Sequence, residues 1–167
     1  MIFRPMQFAA SLVLLSAAVF SWAPPLHAQS LNDKADKLVS LMKQDGFDYK
    51  TTTSPTVFTI HFTDGTNLKD IKVILALGSD EDSDLVIFVT VTPKATMPTT
   101  SDFRYILLKA NHEYDQVKIG LDGDDDLSVR IDGSMRVADA LYIKNLVNQV
   151  KNSSDEIYGK VKPYLTQ

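Results

Sequence analysis

Residues 71–93 read IKVILALGSDEDSDLVIFVTVTP, and this stretch decides the fold. Aliphatic residues occupy every second position of 71–77 and again of 85–92, which is the period of a β-strand with one buried face. The segment between them, residues 78–84, contains only glycine, serine and acidic residues. It is predicted to be a solvated loop, so the two strands are predicted to be antiparallel neighbours.

Helices and further strands are predicted on both sides of this hairpin from apolar spacing and turn residues. The predicted elements are a helix at 31–45 that ends at Gly46, strands at 47–52, 57–62, 71–77 and 85–92, a helix that starts near 99–101, strands at 116–121 and 127–131, and a helix from about 137 to 163. The order α-β-β-β-β-α-β-β-α with short turns predicts an α+β domain, an antiparallel sheet with helices on one face.

Two details concern the ends and continuity of the helices. Thr99 and Asp102 have the spacing of a capping box, which predicts the start of the second helix. Residues 152–155, Asn-Ser-Ser-Asp, are predicted to break or recap the last helix, because these residue types compete with helical hydrogen bonding.

The first 28 residues have the order of a secretory signal peptide. Arg4 is their only charged residue, residues 8–23 are apolar or small, and Pro24-Pro25 precede Ala28. This order predicts cleavage before Gln29, which leaves residues 29–167 as a single domain in the periplasm or outside the cell. An uncleaved membrane anchor is disfavoured because the apolar run is shorter than the ~20 residues that a spanning helix needs.

Composition narrows the possible partners of the mature domain. Without Arg4 the chain has 17 − 1 = 16 Lys and Arg residues against 21 Asp and Glu, a net charge of −5. Such a charge disfavours nucleic acid and anionic membrane surfaces as partners. The chain has no cysteine, and no sequence motif indicates a cofactor.

Residues 122–126, Asp-Gly-Asp-Asp-Asp, form the densest acidic cluster. Asp122, Asp124 and Asp126 match the first, third and fifth positions of a calcium loop. The sixth position is leucine instead of glycine, and the twelfth is glycine instead of glutamate. A tight hairpin turn is therefore the favoured interpretation, and a cation-responsive domain that uses the acidic segments 80–84 and 122–126 is the alternative.

The sequence offers no recognisable catalytic centre. His61 and His112 are the histidines of the mature chain, and each has a carboxylate close by in sequence. The sequence contains no nucleophile elbow, no thiol and no glycine-rich phosphate loop. No catalytic residue is predicted, and an enzyme of an unrecognised class remains as an alternative.

Several segments, in this order, resemble the YbjN family of bacterial sensory transduction regulators. They are Gly46-Phe47 after the first helix, residues 107–111 (LLKAN), the hairpin 118–124 (KIGLDGD) and the long last helix. The resemblance covers roughly residues 31–160. It implies a type III secretion chaperone-like fold and a protein-binding module, often dimeric, with no known catalytic residues.

The resemblance also implies structural roles for three positions. Gly46 corresponds to a helix stop, Asn111 to a local cap and residues 122–126 to a hairpin turn. A protein partner or self-association, including a homodimer, is therefore expected.

The alternation of the strands predicts where such a partner binds. If the helices cover one sheet face, the opposite face carries Ile74, Val86 and Phe88 at its centre. A contiguous exposed apolar patch usually marks an interaction site, so these three residues are the predicted partner or self-association surface. The alternative is that the last helix or residues 93–100 fold over them.

Overall fold

A computed structural model describes residues 30–79 and 84–165. The predicted signal peptide and residues 80–83 of the acidic loop lie outside the described residues. The elements are α1 (Leu31–Gln44), β1 (Tyr49–Thr51), β2 (Val57–Phe62), β3 (Ile71–Leu77), β4 (Leu85–Thr92), α2 (Ser101–Glu113), β5 (Lys118–Leu121), β6 (Leu127–Gly133) and α3 (Ala140–Val161), with short 3₁₀ turns at Lys94–Thr96 and Lys162–Tyr164.

The six strands form one antiparallel sheet in the order β1-β2-β3-β4-β6-β5. The element order and the bounds of β2, β3 and β4 agree with the prediction, which confirms the α+β fold. Strand β6, rather than β5, lies beside β4. Helix α2 therefore carries the chain past β6 to the outer edge, where β5 returns as an edge strand.

One face of the sheet and all three helices supply a single hydrophobic core. Strand β3 alternates as predicted, and β4 alternates over most of its length. The largest fully buried side chains come from both layers: Leu38, Met42, Phe58, Ile71, Val73, Leu75, Leu85, Ile87, Leu127, Met135, Ile143 and Ile157.

Helix α1 has well-defined caps at both ends. Ser30 accepts a hydrogen bond from the Asp33 N–H, and the Asp33 carboxylate accepts one from the Ser30 N–H. At the other end Gly46 has φ +73°, and the Phe47 N–H donates to the Met42 carbonyl, as in a Schellman motif. The predicted role of Gly46 as the helix stop is confirmed.

Two predicted helix details are wrong. The side chain that caps α2 is Thr100, which accepts from the Phe103 N–H, one residue later than the predicted Thr99. Helix α3 runs through residues 152–155 without a break. Ser154 is buried there and donates its hydroxyl to the Val150 carbonyl at 2.7 Å, so the serine is satisfied inside the helix instead of ending it.

Asp84 is not part of a solvated loop, which corrects the prediction for the last residue of segment 80–84. Its carboxylate lies 2.8 Å from the Lys34 ammonium, and the two side chains are 3% and 9% exposed. The other carboxylate oxygen accepts the Met135 N–H at 2.6 Å, and Lys37 donates to the Met135 carbonyl at 2.5 Å. This buried network joins α1, the start of β4 and the segment before α3.

Asp155 of α3 binds the loop between β2 and β3. Its carboxylate accepts the backbone N–H groups of Thr66, Asn67 and Leu68 at 3.2, 2.8 and 2.7 Å. The loop turns so tightly that a Cβ at Gly65 would lie 2.1 Å from the Leu68 carbonyl oxygen. Burial disfavours the ionised carboxylate, but the three N–H donors outweigh it and the pKa of Asp155 is lowered.

Candidate partner-binding face

The sheet face that points away from the helices is here called the open face. Its members alternate with the core residues along each strand and match one another in the strand registers. They are Lys50, Val57, Thr59, His61, Lys72, Ile74, Ala76, Val86, Phe88, Thr90, Lys118, Gly120, Ser128, Arg130 and Asp132.

The three predicted surface residues lie together at the centre of the open face. Ile74 is directly opposite Phe88, and Val86 is directly opposite Ala76 on the neighbouring strand. All three predicted residues are half-buried. They belong neither to the core nor to the partly buried side chains packed against it, whereas the inner residues of α3 and Met97 of segment 93–100 pack with the core. The last helix and residues 93–100, the two segments that could have covered Ile74, Val86 and Phe88, thus contribute side chains to the core on the other side of the sheet.

One line of cross-strand neighbours crosses the whole sheet through this centre. In spatial order it consists of Lys50, Thr59, Ile74, Phe88, Arg130 and Lys118. The middle of the line is apolar and both ends are basic. A partner on the apolar centre would therefore meet cations on either side.

The basic end on β5 and β6 has a surplus of positive charge. Arg130 donates from Nε and Nη2 to one Asp132 oxygen at 3.0 and 2.7 Å, and Lys118 donates to the other at 2.5 Å. Burial would raise the pKa of Asp132, but these two cations lower it below its usual value. Two cations share one carboxylate, so a positive charge is left beside Phe88.

His61 and Lys72 are on the open face near the end of β2 and the start of β3, where they are exposed and directly opposite each other. His61 Nδ1 lies 3.7 Å from a carboxylate oxygen of Asp70, which is itself exposed. Neither His61 nor Asp70 lines the cavity described below. His112 is exposed in the last turn of α2, so the two histidines are on separate surfaces.

A shallow cavity of about 330 Å³ lies between α2 and the end of α3. It is lined by Ile106, Lys109, Ala110, Glu113, Lys160, Pro163 and Tyr164. Glu113 lies 2.6 Å from Lys160 and 3.9 Å from Lys109, and these cations lower its pKa. The ion pair between Glu113 and Lys160 at the rim of the cavity joins α2 to α3.

The acidic segment 122–126 forms a turn in which the carboxylates accept internal hydrogen bonds. One Asp122 oxygen accepts the N–H groups of Asp124 and Asp126, both at 3.0 Å. Asp126 accepts the Lys94 N–H at 2.8 Å, and Asp125 pairs with the Lys94 ammonium. Within the described residues, no group of three or more His, Cys, Asp or Glu side chains is arranged to hold a metal ion.

Asn111, which the resemblance implies to be a local cap, binds the outer edge of the sheet. Its side chain donates to the Ile119 carbonyl at 2.5 Å and accepts the Ile119 N–H at 2.9 Å. Edge strands expose unpaired backbone groups that invite another strand. Asn111 occupies one such pair of groups on β5.

Sequence reasoning missed Asp132, although the predicted alternation puts Lys118 and Arg130 on the same face as Phe88. The predicted strand ended at residue 131, whereas β6 continues to Gly133. Extending the alternation by one residue would have placed Asp132 on the open face beside the two cations.

Known proteins resemble this chain in structure but not in sequence. No protein-family model matches the sequence, and no curated protein matches it significantly. YbjN from E. coli is 16% identical with a TM-score of 0.56, and the match covers 79% of this chain and 95% of YbjN. A chain of the heterodimeric ExoU–SpcU complex from the type III secretion system of Pseudomonas aeruginosa is 14% identical with a TM-score of 0.51, over 75% of this chain and 95% of that one.

A third similar structure is the Yersinia pestis type III secretion chaperone SycH in complex with a fragment of YscM2. It is 17% identical with a TM-score of 0.49, over 72% of this chain and 96% of that one. The first two structures define the class of fold, which this chain shares with YbjN and with a chain of that type III secretion complex. Within that class this chain has the YbjN-like fold, as the sequence resemblance implied.

Across residues 30–79 and 84–165, no helix is both long enough and apolar enough to cross a bilayer.

Proposed function

We propose that this chain is an exported, non-enzymatic protein-binding module of the chaperone-like or regulatory kind, and that its partner binds the open face. The observation that carries the proposal is the apolar centre formed by Ile74, Val86 and Phe88. These side chains lie outside the core and its packed surroundings, so the core does not require them. A contiguous apolar patch on a surface usually marks an interaction site, which supports a partner that covers these three residues.

The partner is a different protein or a second copy of this chain. A related fold occurs in the heterodimeric ExoU–SpcU complex, which is a complex of two different proteins. For this chain a homodimer through the open face would place Phe88 against the same surface of the other copy. Light scattering of the purified protein distinguishes the two forms of the proposal.

Export is part of the proposal and rests on residues 1–28. The order of a basic start, an apolar run, a proline pair and Ala28 supports cleavage before Gln29. We expect mass spectrometry of the protein recovered from the producing cell to give Gln29 as its first residue. Recovery of the intact chain with Met1 in the membrane fraction would contradict export by cleavage.

Replacing Phe88 with aspartate is expected to abolish partner binding or self-association while leaving folding nearly intact. The substitution puts a charge at the apolar centre of the open face, outside the core, so the melting temperature should change by no more than a few degrees. Binding is measured by pull-down for a different partner and by light scattering for a second copy.

The matched control is Leu108→Asp, because Leu108 is an exposed leucine on α2 with 70% of its surface accessible. It makes a similar apolar-to-acidic change on the helical side of the molecule. The proposal expects Leu108→Asp to retain binding. Loss of binding in Leu108→Asp but not in Phe88→Asp would assign the partner to α2 instead.

A further inference from the structure

We infer that the partner segment on the open face is acidic as well as apolar, with Asp or Glu residues on both sides of an apolar centre. The inference rests on the proposed function and adds the chemistry of the partner. Three features of the open face carry it: the sign of its charge, the position of its cations and the ion pairing at one end.

The open face is basic on a protein that is acidic as a whole. Its strands carry Lys50, Lys72, Lys118 and Arg130 against the single carboxylate of Asp132, and Asp70 lies beside His61 just before β3. The whole chain has a net charge of −4. A basic surface on an acidic protein attracts an acidic segment and disfavours a basic one, because complementary potentials set specificity and association rate.

The positions of the cations set the spacing of the expected segment. Neighbouring strands lie ~4.8 Å apart, so the line from Lys50 to Lys118 extends roughly 24 Å across the six strands. An extended segment of about seven residues covers that distance. Its middle would contact Ile74 and Phe88, and its ends would reach the two basic edges.

The two basic ends differ in how their charges are paired. Arg130 and Lys118 share the carboxylate of Asp132, so one positive charge is left over at that end. At the other end Lys50 is exposed and makes no ion pair among the described residues, and the same holds for Lys72, which lies two residues from Ile74 on β3. The cations at both ends are therefore available to acidic groups of a partner.

The test uses synthetic peptides as probes with the protein as the producing cell processes it. Three 13-residue peptides share a central Leu-Phe-Leu and are flanked by Glu, by Lys or by Ser; a single-stranded oligonucleotide is the fourth probe. At about 20 mM salt the Glu peptide is expected to bind about tenfold more tightly than the Ser peptide by fluorescence anisotropy. At about 0.5 M salt the difference is expected to fall to about twofold, because salt screens exposed charges.

Charge-removing variants assign the effect to the open face. Lys50→Gln with Lys72→Gln, and separately Lys118→Gln with Arg130→Gln, are each expected to weaken the Glu peptide about fivefold at low salt and to leave the Ser peptide unchanged. The matched control is Lys43→Gln with Lys144→Gln, which removes two exposed lysines from α1 and α3. Because Lys50 and Lys72 are not paired with Asp132, their variant tests the inference without unpairing a partly buried carboxylate.

The outcomes separate this inference from the proposed function. Suppose that Phe88→Ser removes binding of all peptides, and that the wild type binds the Glu and Ser peptides equally. In that case the open face binds protein and the acidic inference is wrong. Tighter binding of the oligonucleotide than of the Glu peptide, or equal weakening by the Lys43 and Lys144 control, also overturns it. If Phe88→Ser leaves peptide binding unchanged, the open face is not the binding surface and the proposed function is contradicted.

Discussion

Replacing Asp84 with asparagine is expected to lower the free energy of unfolding by about 3–5 kcal/mol, as breaking a buried ion pair from one side usually does. The substitution leaves the Lys34 ammonium buried without its carboxylate, although the asparagine oxygen can still accept the Met135 N–H. The loss comes mainly from the unpaired charge and not from lost packing. Urea unfolding of the wild type and the variant measures it.

The double variant Lys34→Met with Asp84→Asn is the control for this explanation. Methionine keeps most of the apolar stem of lysine and removes the charge. The double variant is expected to regain most of the stability, to within about 2 kcal/mol of the wild type, because a buried pair replaced as a whole costs little. A single variant that loses less than about 1 kcal/mol, or a double variant less stable than the single one, would contradict the explanation.

Replacing Asp155 with alanine is expected to lower the free energy of unfolding by about 2–3 kcal/mol. The carboxylate is the common acceptor for three N–H groups of the loop before β3, and hydrogen bonds to a charged acceptor are stronger than neutral ones. The expected decrease in the free energy of unfolding is limited to this range because the freed N–H groups of this exposed loop can bind water. Asn152→Ala, at an exposed position of the same helix, is the control and is expected to change stability by less than about 0.5 kcal/mol.

The pH dependence of the Asp155 contribution follows from the direction of its pKa. The folded-state pKa is lowered below that of an unfolded aspartate, which is about 3.9. The contribution is therefore fully present above the unfolded pKa and is lost as the pH falls through the folded pKa. The stability difference between wild type and Asp155→Asn is expected to be constant above about pH 5 and to shrink below pH 4. A difference that stays the same from pH 7 to pH 3 would contradict this role.

The sheet could be predicted from sequence because its signal is local. Alternation in residues 57–62, 71–77 and 85–92 depends only on which side of a strand each residue faces, and those bounds are correct. The neighbour of β4 could not be predicted, because α2 leads to β5 and only tertiary packing inserts β6 between them. The same limit explains why Asn111 could be named but its partner Ile119 could not.

The charged contacts escaped prediction because they join residues far apart in the chain. Asp84 stands in an acidic run whose composition indicates a solvated loop, and its lysine partner is 50 residues earlier. Asp155 follows two serines that are typical of a helix end, yet its carboxylate reaches a loop almost 90 residues away. In contrast, the strand alternation brought Ile74, Val86 and Phe88 to one face, and the registers place them there.

The central claim is that a partner protein contacts the open face at Phe88, and site-specific photo-crosslinking in the producing cell tests it most directly. A benzophenone amino acid replaces Phe88 in one strain and Leu108 in another, and the crosslinked products are identified by mass spectrometry. We predict a product between position 88 and another protein or a second copy of the chain, and no such product from position 108. Crosslinks from position 88 only to α3 of the same molecule, or partner crosslinks only from position 108, would contradict the claim.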